Sequence, residues 1–178
     1  MVISDREGDI YECFEEAAKQ DGAKKAEWIV RACQDRNLSD TASGDAQHLR
    51  ARVASTRVLG TAEIEVREQT PKNPGDRKRN QPRSARTATV TIQAVGVTLR
   101  GPQRPGGRPP DVEINVVLVR EKDPPPGEEP IEWLLLTSLP IRTVKQVQRV
   151  IAYYCCRWQI EISQPDCDSS AALYQVAA

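Results

Sequence analysis

The chain has 178 residues, enough for one domain with a fair-sized core or for one domain carrying an insertion. Its 25 acidic and 25 basic side chains balance, which excludes a uniformly basic or acidic protein, yet the charge is unevenly spread. Residues 1–40 hold ten acidic and six basic groups, and residues 71–86 hold six basic and one acidic; that split points to an acidic or metal-binding end and a separate anion-binding surface.

The five cysteines, Cys13, Cys33, Cys155, Cys156 and Cys167, form no C-x-x-C pair, and the single His48 offers little for a zinc site. Reduced thiols in a cytoplasm are expected. The N-terminal residues do not read as a signal peptide, and no apolar run approaches the ~18 residues of a membrane span. No membrane partner is expected.

Met1 to Ser4 reads as the end of a strand, with Asp5 where that strand stops. Asp9-x-x-Glu12 has the form of a capping box, and the helix that follows carries an apolar face of Ile10, Cys13, Phe14, Ala17 and Ala18 before Gly22. Glu27 to Ala32 is a short apolar strand, so the opening rhythm is strand, helix, strand, as in an α/β core. Residues 39–57 are polar, with Gly44, and include His48, Arg50, Arg52 and Arg57. Alternation over Gly60 to Glu68, Arg86 to Arg100 and Val112 to Val119 predicts half-buried strands, separated by turn-rich loops at 71–79 and 101–110. Residues 41–127 therefore read as an antiparallel β insertion.

The prolines of 124–126 make a stiff connector. Ile131 to Thr137 is almost wholly apolar and fits a strand buried on both faces. Thr143-x-x-Gln146 caps a long helix with an apolar stripe of Val144, Val147 and Ile151, with Val150 at its edge; Pro165 stops it. At about 100° per residue, Tyr154, Arg157 and Glu161 share one side of that helix. By spacing they are either an ion pair on a solvated face or the polar end of a site emerging from a core.

Tyr154, two residues, Arg157, three residues, Glu161 resembles the signature of bacterial cut-and-paste transposases of the insertion-sequence type. Asp5-Arg6-Glu7-Gly8-Asp9-Ile10-Tyr11 resembles the segment carrying the second aspartate of their DDE triad, and Trp133 to Ser138 resembles the strand before their glutamate helix. The three motifs follow the family's order over residues 2–162. The resemblance implies an α/β fold: a partial ribonuclease H-like core (residues 1–40 and 128–164) interrupted by the β insertion (41–127), with a divergent tail (165–178).

It also implies chemistry. Asp5 and Glu161 take the places of catalytic, metal-binding carboxylates for two Mg²⁺ (or Mn²⁺) ions about 3.5–4 Å apart. Tyr154 and Arg157 take the places of phosphate contacts at the element end, and arginine's planar fork suits that role. Trp133 matches a tryptophan that stacks on a flipped base; the alternative reading is a strand-edge core aromatic. Arg31 matches a DNA-contacting position more loosely. The cluster Lys72, Arg77, Lys78, Arg79, Arg83 and Arg86 is either a solvated loop or a track along a phosphate backbone.

The triad needs a further aspartate on a strand preceding the Asp5 segment, and only four residues precede Asp5 here. The family's lysine seven residues after the glutamate is replaced by Asp168, beyond Pro165. The expectation is a transposase truncated at both ends, inactive in DNA cleavage and strand transfer. Its expected partners are mobile-element DNA ends and a homodimer or intact transposase, in a nucleoid-associated cytoplasmic setting. The rival expectations are a non-catalytic remnant that binds DNA or transposase as an inhibitor, and a gene remnant with no function. With the preceding strands missing, the strands at Met1–Ser4, Trp28–Val30 and Ile131–Thr137 are expected to lack neighbours, leaving Leu134, Leu135 and Leu136 exposed.

Overall fold

A parallel strand–helix–strand unit opens the fold. Strand β1 (Val2–Ser4) leads through a 3₁₀ turn (Arg6–Gly8) and helix α1 (Tyr11–Lys19) to β2 (Trp28–Arg31), and Ser4 pairs with Val30. The computed structural model describes residues 1–20, 22, 26–39, 47–69 and 82–160, the last four by backbone alone. The remaining elements are α2 (Leu49–Ala54), β3 (Gly60–Val66), β4 (Arg86–Leu99), β5 (Val112–Glu121), β6 (Glu132–Thr137) and α3 (Val144–Ile160). The six strands form one sheet in the order β1-β2-β6-β5-β4-β3, antiparallel throughout except for the β1–β2 pair. The fold is mixed α/β, with one six-stranded sheet and three helices among the described residues.

Two apolar layers cover the sheet. On one face α3 packs Val147, Val150, Ile151 and Tyr154 against Ala62, Ile64, Val66, Val90, Ile92, Val119 and Leu135. On the other, Tyr11 and Phe14 of α1 and Leu49 and Val53 of α2 meet Val30, Val97, Leu99, Val116, Leu118, Leu134 and Leu136. The long β4 serves both layers, its first half facing α3 and its second half facing α1 and α2. The strands of residues 41–127 extend this same sheet, β5 lying directly against β6.

The structure corrects several expectations. Strand β6 is not short of neighbours: it lies between β2 and β5, and Leu134, Leu135 and Leu136 are at most 1% exposed. Each such leucine contributes about 1.5–3 kcal/mol of burial. β1 and β2 are likewise paired. Asp9 caps nothing, because α1 has Ile10 at its N-cap and no side-chain cap bond. The Asp9 carboxylate instead accepts the backbone N–H groups of Cys33 and Gln34 at 2.8 and 2.9 Å and binds Arg36. Ile10 and Cys13 are exposed, so the buried face of α1 runs through Tyr11 and Phe14. At α3 the Thr143–Gln146 capping box forms as read, with both reciprocal bonds present, but Val144 is exposed. Helix α2 was not anticipated, because its six residues offer only Leu49 and Val53 at i, i+4.

Candidate functional site

Where β1 ends the chain turns sharply, and the turn holds Asp5 at the end of the sheet. Gly8 makes this possible, since a Cβ there would meet the Ser4 side chain at about 2.5 Å. Glu7 steadies the turn by accepting the Ser4 hydroxyl and the Asp5 backbone N–H, each at 3.3 Å. Because β2 runs parallel to β1 in matched register, its last residue, Arg31, emerges beside Asp5. Arg31 Nη1 lies 3.8 Å from Asp5 Oδ1, and Nη2 donates to the Glu132 carbonyl at 3.2 Å. β6 is antiparallel to β2, so its first residues, Glu132 and Trp133, enter at this same end.

Helix α3 closes the group from one face. The Tyr154 hydroxyl donates to Asp5 Oδ1 at 3.4 Å, and its ring meets Trp133 edge to face, with centroids 5.2 Å apart. Asp5, Arg31, Trp133 and Tyr154, drawn from four elements, thus converge at one end of the sheet. Tyr154 has no exposed surface, so its ring is core and its hydroxyl is directed at Asp5 rather than outward. Arg31 and Asp5 keep about a fifth of their side-chain surface open. Glu161, Lys72, Arg77, Lys78 and Arg79 lie outside the described residues, as does the side chain of Arg157.

No protein-family model matches the chain.

Sequence reading missed the charges that flank this group. Glu132 is shared by Arg50 of α2 and Arg120 of β5, the latter at 3.0 Å. These side chains are 30–47% exposed, so they order the surface more than they stabilise it. Further along the same end, Arg86 grips Glu121 at 2.9 and 3.0 Å and Glu128 at 2.5 Å. That guanidinium, more than any other cause, holds the Glu121 carboxyl below its ordinary value against the opposing effect of burial. Glu128 is also held down, first by the Ser84 hydroxyl. The sequence signal for the first network was Arg50, hidden because α2 itself was not legible.

A pair of divalent cations needs several converging carboxylates. Among the described residues no group of three acidic, histidine or cysteine side chains meets that need. Asp5 alone of the assigned pair is described, and it already faces a guanidinium and a phenol. The described residues therefore do not by themselves fit a two-cation site. What they offer is a partly exposed guanidinium, engaged by Asp5 and the Glu132 carbonyl, beside the partly buried Trp133 ring. No helix among the described residues is long and apolar enough to cross a membrane.

The Tyr154 hydroxyl supports a modest test. Tyr154→Phe keeps the buried ring and loses the long hydrogen bond to Asp5, so it should cost about 0.5–1.5 kcal/mol in urea unfolding. A much larger loss would mean that the hydroxyl, rather than the ring, fixes α3 to β1.

Proposed function

We propose that this chain is the part of a DDE transposase running from the second aspartate of the triad to the glutamate helix, on a ribonuclease H-like core, and that these 178 residues bind DNA without cutting it. One observation carries the reading. Asp5, Arg31, Trp133 and Tyr154 are spread over some 150 positions of sequence, the resemblance assigns them to one site, and they meet in side-chain contact. A chance match of short motifs gives no reason for such a meeting. The β1–α1–β2 unit, with Asp5 at a strand's carboxyl end, is the setting the resemblance requires of that aspartate.

A second feature supports the DNA partner. β3 ends at Val66 and β4 begins at Arg86, directly paired, at the same end of the sheet as Asp5. Gln69 and Arg83, which bracket the sequence stretch holding Lys72, Arg77, Lys78 and Arg79, are hydrogen-bonded to each other at that end. The 178 residues contain no match to the first aspartate of the triad, which is why binding without cleavage is proposed for them.

Purified chain and a labelled duplex of arbitrary sequence supply the test. Binding should be weak, insensitive to sequence and steeply salt-dependent, and Arg77, Lys78 and Arg79 changed together to Ala should lower the salt slope by up to about 3. No nicking should accompany Mg²⁺ or Mn²⁺. Absence of duplex binding would overturn the reading; nicking that Glu161→Ala abolishes would overturn its non-cleaving half.

A further inference from the structure

At this end of the sheet Arg83 stands out among the described residues, because its guanidinium is half-buried and has no hydrogen bond or ion pair there. Arg83 sits just before β4, and its backbone is fixed by two reciprocal hydrogen bonds with Gln69, each 2.9 Å. The following residue is also fixed, since the Ser84 N–H and hydroxyl both donate to Glu128. The backbone is held on both sides, yet the Arg83 guanidinium makes no hydrogen bond or ion pair among the described residues. It is half-buried. Burial, then the like charges of Arg86 and Arg31, loosen its proton, and Glu121 and Glu128 offset this only in part.

Neighbouring Arg86 differs. Both of its edges are taken by Glu121 and Glu128, so it has no fork left for a ligand. A half-buried guanidinium with no hydrogen-bond acceptor among the described residues is a costly arrangement that a bound anion relieves. Along this end of the sheet, β4 is joined through β5 and β6 to β2, whose last residue Arg31 pairs with Asp5.

We infer that Arg83 is a seat for a backbone phosphate of duplex DNA, extending the nucleic-acid surface from Arg31 across the sheet end toward β4, while Arg86 beside it serves only the fold. The inference rests on the DNA-binding reading above and adds the residue and the path. Arginine's fork can engage two phosphate oxygens at once, and a phosphate contact carries no sequence preference.

The experiment uses the full chain, a labelled duplex and KCl from 50 to 200 mM, with Arg83→Ala, Arg83→Lys and a thermal melt of each. Arg83→Ala should lower the slope of log affinity against log salt by about 1, equally for unrelated sequences. Its deficit relative to the unsubstituted chain should therefore shrink about 3-fold between 50 and 200 mM. Arg83→Lys should restore the slope but not the full affinity. The melting temperature of Arg83→Ala should hold or rise, because an uncompensated cation has been removed. An unchanged slope while the unsubstituted chain still binds duplex would overturn this inference alone, as would a fallen melting temperature with intact binding. Loss confined to a single-stranded RNA probe would overturn it in favour of RNA. Absence of any binding by the unsubstituted chain would overturn both readings.

Discussion

Asp9→Ala is expected to lower the unfolding free energy by about 3–5 kcal/mol, the loss typical of stripping one partner from a buried ion pair. The Asp9 side chain is wholly buried and that of Arg36 is 9% exposed. Arg36 reaches the Asp9 carboxylate through Nε at 2.9 Å and Nη2 at 2.5 Å, and Nη2 also donates to the Asp9 carbonyl at 2.8 Å. Its guanidinium lies 5.8 and 5.5 Å from the Tyr11 and Phe14 ring centroids. Without the carboxylate, the buried cation and the N–H groups of Cys33 and Gln34 lose their acceptor together. Asp9→Asn, which keeps one acceptor oxygen, should lose less. Urea unfolding measures both, and a cost below about 1 kcal/mol for the alanine variant would show that the cluster does not anchor α1 to the turn after β2.

The second large effect is expected at Arg86. Its side chain is 13% exposed and that of Glu121 2%, and Glu121 also accepts the Ile131 N–H at 2.8 Å. Arg86→Ala leaves that carboxylate buried beside the start of β6 and should cost about 3–5 kcal/mol near neutral pH. The pH dependence has a definite sign. Arg86 holds the folded Glu121 pKa below its unfolded value, so the pair's stabilisation is present above the ordinary carboxylate range and is lost as pH falls through the folded value. Glu121→Gln should therefore be weaker than the unsubstituted protein at pH 7, with a gap that closes on acidification below about pH 4.5. A gap that stays constant from pH 7 to pH 3 would mean that charge at Glu121 does not matter.

Strands were the most legible part of the sequence. In β3, Ala62, Ile64 and Val66 alternate with Glu63 and Glu65 because only one face is covered, by α3. β6 reads as a continuous apolar run because helices cover it from both sides. The start of α1 was misread for a tertiary reason. Asp9 and Glu12 have the spacing of a capping box, but Arg36 and the turn at Cys33 and Gln34 outcompete the helix for the Asp9 carboxylate, and nothing within a window of four residues shows that. The site divides in the same way. Asp5, Trp133 and Tyr154 were legible because each lies in a motif, whereas the sharing of Glu132 between Arg50 and Arg120 depends on packing α2 across the sheet. Asp9 and Arg36, among the most buried charges, carried no functional signal because their work is internal.

The placement of β6 bears on synthesis at the ribosome. β2 finds its antiparallel partner only in β6, as Arg31 pairs with Leu135, roughly a hundred residues later in the chain. At about 5–20 residues per second, several seconds pass in which β1, α1 and β2 have emerged while their partner strand has not. β3, β4 and β5 can zip together in that interval through sequential antiparallel pairing, leaving β5 with an open apolar edge. Two half-sheets therefore wait for a single segment, and the arrival of Glu132–Thr137 joins them in one step. A nascent chain stalled before that segment presents two unpaired strand edges at once, the condition under which holding chaperones and neighbouring copies compete for the same backbone.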